Sequence, residues 1–322
     1  MKTARYSHIA SVLTNGNVLV TGGENGISPL NSAELYDPST GTWTMTGSMN
    51  NSRRGHTASV LINGDVLVTG GWDGYVFLNN AELYDSSTGT WTKTPSMNNG
   101  RNGHTASVLA NGKVLVAGGY NGTSLNSAEL YDPSKGTWTM TGSMNNSRRG
   151  HTASVLINGK VLITGGWDGY VSLNNAELYD SSTGTWTTTP SMNNGRDGHT
   201  ASVLANGKVL VAGGYNGTSL NSAELYDPSA GTWTMTGSMN IIRIGYTASI
   251  LTDGKVLVTG GWGDFFPKIN AELYDPSTGT WTTIGTMNNA RYLHSASVLT
   301  NGSVLVTGGL WDQRALNSSE LY

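Results

Sequence analysis

Six histidines occupy one place in a repeating pattern: His8, His56, His104, His151, His199 and His294, with Tyr246 in the seventh copy. Imidazole is the commonest side-chain metal ligand, so histidines gathered near a common axis invite a metal reading. Geometry argues against it. One ion needs about four ligands at roughly 2 Å, and a seven-fold arrangement holds its members too far apart to meet at a point. The expectation is no metal and no cofactor, with each histidine, His151 among them, a hydrogen-bonded structural group. Seven arginines stand three residues before that position (Arg5, Arg53, Arg101, Arg148, Arg196, Arg243, Arg291), and seven glutamates recur further on (Glu34, Glu82, Glu129, Glu177, Glu224, Glu272, Glu320). Carboxylates inside a sheet need partners. Equal numbers predict Arg–Glu pairs such as Arg148 with Glu177, structural in role. As acid/base machinery they fail, because every copy has one and none is singled out. The Gly-Gly-Trp-Asp-Gly loops resemble phosphate cradles only superficially. They lead into a strand, not a helix N-terminus, and carry no Lys-Ser/Thr. No catalytic residue emerges.

The elements that position these side chains follow from glycine pairs at Gly22, Gly70, Gly118, Gly165, Gly213, Gly260 and Gly308, spaced 47 or 48 residues apart. A fixed period of this length marks one structural unit stacked on itself. In the copy starting at Arg101, residues 104–109 read as strand A and 113–118 as strand B. Asn111-Gly112 lies between them, the signal for a type I′ hairpin. A loop follows the glycine pair, and then Ala128–Tyr131 makes strand C. Asp132-Pro-Ser-Lys-Gly136 reads as a turn with Gly in the left-handed region, and Thr137–Thr141 makes strand D. No segment has a 3.6-residue apolar period, so no helix is expected. Four short antiparallel strands repeated radially make a propeller.

The pattern R-x-x-H, Gly-Gly, E-L-Y-D and Trp, as in Arg101/His104, Gly118-Gly119, Glu129–Asp132 and Trp138, resembles the kelch repeat over the whole chain. The resemblance implies an all-β, seven-bladed kelch-type propeller with strand A innermost. Blades are expected near 1–50, 51–98, 99–145, 146–193, 194–240, 241–288 and 289–322, forming a single domain. It leaves function open, because kelch propellers serve as binding domains, enzymes and structural parts alike. Galactose oxidase, which is similar in fold, uses copper with a Tyr–Cys crosslink, and this chain has no Cys. The iron motif of nitrile-specifier-type proteins is absent too. Sialic-acid epimerases of the kelch type keep the enzyme alternative open. The strand-D tryptophan occurs six times (Trp43, Trp91, Trp138, Trp186, Trp233, Trp281), and residues 1–8 align with 287–294. The seventh blade is therefore expected to have three strands, unless the chain is part of something longer.

Composition narrows the partners. Of 322 residues 12% are charged, with net charge −3, so no basic surface suited to nucleic acid is expected. No apolar run reaches 18 residues, so no membrane span is expected. Six N-x-S/T sequons, at Asn50, Asn121, Asn145, Asn216, Asn301 and Asn317, lean the compartment slightly toward extracellular or cell-surface.

Residues present in every copy are scaffold, so function should sit where copies disagree. Strand parity puts the B–C and D–A loops on one face and the tight turns on the other. The variable positions after the glycine pair include Trp72, Tyr120, Trp167, Tyr215 and Trp262. Those after the repeat arginine include Arg54, Asn102, Arg149, Asp197 and Tyr292. Aromatic and polar groups of this kind suit recognition, so the expected role is a non-enzymatic binding or structural propeller taking a protein or glycan partner around the central funnel, with an enzyme acting on a sugar or small polar substrate there as the alternative. Residues 52–145 and 147–240 are nearly identical at an offset of 95, with differences that include Phe77/Ser172 and Asn102/Asp197, so blades 2 and 3 read as duplicated into 4 and 5. Blade 6 breaks the repeat: Ile241, Ile242 and Ile244 replace polar residues, and its B–C loop gains Phe265 and Phe266. These are expected either to pack on each other or to form a partner or self-association patch. The unfinished seventh blade is a second candidate for self-association.

Overall fold

Strand B is buried at every position because both of its faces are covered. Val66 and Val68 pack on Leu13, Leu19 and Met49 of the preceding blade, while Leu67 packs on Val114 and Val116 of the next. A strand buried on both faces loses the alternation of a half-exposed one. Burial declines outward. Strand C keeps Ala81, Glu82 and Tyr84 inside, and strand D is mostly exposed apart from its half-buried Trp91. Tyr84 and Trp91, paired across strands C and D, hold their rings 5.0 Å apart.

The computed structural model describes residues 1–322. It is all-β: seven blade sheets, six with strands in the order A-B-C-D and a seventh with three strands, together with two short two-stranded hairpins in the B–C loops of blades 6 and 7. This is the seven-bladed propeller expected from the repeat. No helix is long and apolar enough to cross a membrane. In blade 3 the strands are Thr105–Val108, Val114–Ala117, Ala128–Asp132 and Thr137–Met140, and Val114 pairs with both Val108 and Tyr131. Blade 7 holds Ser295–Val298, Val304–Thr307 and Ser319–Leu321. The chain divides into two compact units. One comprises Met1–Gly122, Ala128–Met140 and Leu293–Tyr322, with blades 7, 1, 2 and 3; the other comprises Thr123–Ser127 and Thr141–Tyr292, with blades 4, 5 and 6.

The A–B turn differs from the type I′ expectation. Leu109 N–H donates to Lys113 O at 2.8 Å and Gly112 N–H to Leu109 O at 2.9 Å, so three residues, not two, span the turn. Gly112 has φ +78°, whereas Asn111 keeps a negative φ. This is a type I turn followed by a left-handed glycine. Asn111 serves by its side chain, its Oδ1 accepting the Lys113 N–H at 3.1 Å. Two-residue turns with both φ positive occur elsewhere, in the B–C loops of blades 6 (Asp264, Phe265) and 7 (Asp312, Gln313). The C–D turn is as expected: Gly136, at φ +61°, donates to Asp132 O at 2.8 Å.

Candidate functional site

The repeat arginine and glutamate are the bracket beneath the loop face. Arg53 is fully buried; its Nη2 donates to Glu82 Oε1 at 2.8 Å and its Nη1 to Gly70 O at 2.6 Å. Glu82 also accepts from Asn50 N and Asn50 Nδ2, each at 2.7 Å, and from Asn51 N at 3.2 Å. One ion pair thus ties the D–A loop, strand C and the start of the B–C loop together. Burial alone raises the Glu82 carboxyl; these donors outweigh it and hold it below its ordinary range. Arg148 and Glu177 repeat the arrangement at 2.8 Å, with both side chains buried. The glycine pair lets the loops approach: a Cβ at Gly70 would lie 2.5 Å from Arg101 O, and one at Gly71 2.9 Å from Arg54 O.

Above this bracket, the two positions at which copies differ are hydrogen-bonded to each other. In the first unit Tyr6 bridges Glu24, Arg54 bridges Trp72 and Asn102 bridges Tyr120. In the second, Arg149 bridges Trp167, Asp197 bridges Tyr215 and Ile244 bridges Trp262. Each pair is antiparallel, so its two side chains emerge side by side. Arg54 shows the result. Its guanidinium lies 4.7 Å over the Trp72 ring and 2.6 Å from Glu24 of blade 1, close enough for an ion pair although its N–H is not aimed squarely at the oxygen. Tyr292 instead packs on Trp262, ring centroids 5.1 Å apart.

Two of the differences between the duplicated halves meet in space. In blades 2 and 3, Phe77 covers Tyr120 edge-to-face at 5.3 Å. In blades 4 and 5, Ser172 replaces that ring and donates through Oγ to Asp197 Oδ1 at 2.8 Å. Tyr215, the counterpart of Tyr120, is left 38% exposed. Burial pushes the Asp197 carboxyl above its ordinary range, against the opposing Ser172 hydrogen bond and the charge of Arg149.

Next to Tyr215 lies a groove of about 520 Å³. Its walls are the blade 5 loop (Tyr215, Gly217, Thr218, Ser219) and the blade 6 hairpin (Trp262, Asp264, Phe265), with Ile242 and Ile244 also lining it. Three of the five residues in the blade 6 patch therefore share this groove. Ile241 and Phe266 do not line it: the Ile241 N–H donates to Glu272, and Phe266 stands 69% exposed across from Gly263. The loops also touch directly, since a Cβ on Gly263 would meet Ile242 Cγ1 at 2.9 Å. Phe265 sits at φ +68°, a costly conformation for a bulky residue, and is 85% exposed.

The histidines are inter-blade fasteners. His56 Nε2 is 3.1 Å from Thr21 Oγ1, and His199 Nε2 is 3.0 Å from both Thr152 Oγ1 and Thr164 Oγ1. Burial, with the neighbouring arginines, lowers both to about 3. His151 is likewise buried. Tyr246 takes the seventh place by donating through its hydroxyl to Ala212 O at 2.5 Å. Sequence reasoning passed over the B–C tips, where Tyr75 and Tyr170 are 93% and 87% exposed. Their place between turn residues, four beyond the glycine pair, was the available signal. It also passed over the Ser172–Asp197 contact, although both positions stood among the differences between the halves.

Among curated proteins none matches the chain. A solved structure described as a novel fungal alcohol oxidase of the AA5 family, in complex with copper, is similar with a TM-score of 0.76 at 20% identity, covering 95% of this chain and 70% of that one. At that identity the likeness shows the fold alone. The KLHDC2/KLHL20/DRC7 kelch-repeats domain matches over residues 1–147, 96–261 and 139–309, and with the Arg–Glu brackets of blades 1 to 6 and the seven glycine pairs this places the chain in that kelch-repeat family.

Proposed function

We propose that the chain is a non-enzymatic binding propeller that recognises a protein or glycan partner through its B–C and D–A loops. The observation carrying this reading is the bridge between the two variable positions. The scaffold is repeated almost without change, while the bridged pairs above it carry Arg54 with Trp72 and Asn102 with Tyr120 in one unit, and Arg149 with Trp167 and Asp197 with Tyr215 in the other. Rigid strands presenting varied aromatic and charged groups on loops are the arrangement binding surfaces use. Kelch domains generally mediate protein interactions, which agrees with it. A second reading, an enzyme acting on a sugar or small polar substrate, draws on the Ser172–Asp197 contact, where an acid beside Tyr215 breaks the repeat symmetry.

Affinity capture with two variant sets tests the proposal. One set alters the loop face (Arg54→Ala, Trp72→Ala, Asp197→Asn, Tyr215→Ala); the other alters the tight-turn face (Ile62→Ser, Ile157→Ser). The loop-face set is expected to weaken partner binding at least tenfold, with the tight-turn set unchanged. Equal retention by both sets overturns the reading. Turnover of a sugar substrate that Asp197→Asn abolishes favours the enzyme. A shift in sedimentation on Ile244→Arg with Phe265→Gly and Phe266→Tyr identifies the partner at blade 6 as a second copy.

A further inference from the structure

The blade 5–6 groove has a counterpart between blades 1 and 2, and there the occupant is visible. Glu24 of blade 1, with Arg54 and Trp72 of blade 2, stand where Tyr215 of blade 5, with Ile244 and Trp262 of blade 6, stand in the other unit. Between blades 1 and 2 the space is filled from within: the Arg54 guanidinium is stacked on Trp72 and paired with Glu24. In blade 6 the arginine has become Ile244, which is too short to cross the gap. The tryptophan platform is kept, and a groove of about 520 Å³ opens over it. Tyr215 forms the opposite wall, uncovered because Ser172 replaces the ring that shields Tyr120. Negative charge is also kept: Asp264 lines the groove with its side chain 70% exposed, held only loosely by Lys268 at 3.4 Å.

From this juxtaposition we infer that the groove is a binding site for an arginine side chain of a partner protein, its guanidinium seated between Tyr215 and Trp262. The inference rests on the loop-face binding reading and names what one part of that face takes. A guanidinium is planar, so it can stack on an aromatic face, and its weak hydration lowers the cost of entry. Ile242 and Ile244 offer apolar surface to the methylene stem, and Asp264 supplies the countercharge that Glu24 supplies to Arg54. A lysine fits less well, because its compact ammonium is strongly hydrated and has no flat face. Phe265 lines the outer wall and offers a further apolar surface to the stem.

The probe is N-acetyl-arginine amide, with N-acetyl-citrulline amide as its uncharged isostere and N-acetylglucosamine and N-acetyl-leucine amide as competing classes. Binding is read by ¹H–¹⁵N NMR titration of the full chain. The arginine probe is expected to shift the Trp262 indole N–H and the amides of Tyr215, Ile244 and Asp264, with citrulline at least roughly tenfold weaker, the size of a desolvated cation–π contact. Ile244→Arg should abolish these shifts by filling the groove from within. That change restores the residue present in blades 2 and 4, so the fold tolerates it, and Trp262→Phe serves as a second, milder variant that should weaken binding. Equal shifts from citrulline, or undiminished binding by Ile244→Arg, overturn the inference, as does preference for the sugar or the leucine amide. If the arginine probe is silent while a partner still binds the loop face and is lost on Trp72→Ala, this inference fails and the loop-face reading stands. If the probe binds while no partner engages the loop face, the reverse holds.

Discussion

Arg148→Met should cost about 4 kcal/mol of stability, and the sum can be followed bond by bond. Arg148 is fully buried. It donates to Gly165 O at 2.7 Å, Asn175 O at 3.4 Å, Asn175 Oδ1 at 2.6 Å and Glu177 Oε1 at 2.8 Å. Methionine keeps much of the volume, so the cavity term is small. Breaking a buried ion pair from one side costs about 3–5 kcal/mol, because the other charge stays buried. Here Glu177 keeps three donors, Asn145 N at 2.7 Å, Asn145 Nδ2 at 2.9 Å and Asn146 N at 3.2 Å, which argues for the lower end. The carbonyl of Gly165 loses its short bond, which adds roughly 1 kcal/mol. Glu177→Leu alone should cost a similar amount by stranding the guanidinium. The double variant should cost less than the two singles added, with a coupling of about 2 kcal/mol. Urea denaturation, with hydrogen exchange to separate local opening of blade 4 from global unfolding, measures all three. A loss below about 1 kcal/mol in both singles, or strict additivity in the double, refutes the bracket as described.

The buried histidines predict acid lability. His56 and His199 are lowered from 6.5 to about 3, so the unfolded chain binds their protons first as pH falls. Their neutral folded state is stable above pH 6.5, and each site should lose about 1.4 kcal/mol per pH unit between 6.5 and 3. His199→Gln should flatten that slope in a pH series of urea midpoints; an unchanged slope counts against the assignment. Leu293 sits at φ +53°, where Gly55, Gly103, Gly150, Gly198 and Gly245 stand in other blades. Leu293→Gly should stabilise the chain by about 0.5–1 kcal/mol, because relief of a left-handed residue outweighs the added entropy of the unfolded chain. A fall in the denaturation midpoint would show that packing of the leucine matters more than its strain.

The fold was legible because the glycine pairs count the blades and each blade repeats the same hydrogen-bonding problem. The three-stranded seventh sheet was legible too, from the missing seventh tryptophan. The A–B turn type was not, because Asn-Gly marks a tight turn without saying which rung closes it; the Leu109–Lys113 bond decides that. At the site, strand parity placed the variable positions on one face, but not that they bond to each other in pairs. Ser172 and Asp197 lie 25 residues apart, and nothing in sequence spacing brings a loop of one blade onto the next. The groove stayed hidden for a related reason. Three isoleucines and two phenylalanines read either as loops packed on each other or as one exposed patch; in the structure Ile242, Ile244 and Phe265 line the groove, Phe266 is exposed outside it and the Ile241 backbone N–H donates to Glu272. Seeing the vacancy requires the filled counterpart at Arg54 for comparison.

The measurement that bears most directly on a loop-face binding propeller is a footprint of the bound partner by hydrogen exchange on the intact chain. Protection is predicted at the bridged pairs, Arg54 with Trp72 and Asp197 with Tyr215, and at the exposed tips Tyr75 and Tyr170, with none at the Asn63-Gly64 and Asn158-Gly159 turns. Protection at those tight turns, with the bridged pairs exchanging as in the free chain, would contradict the account.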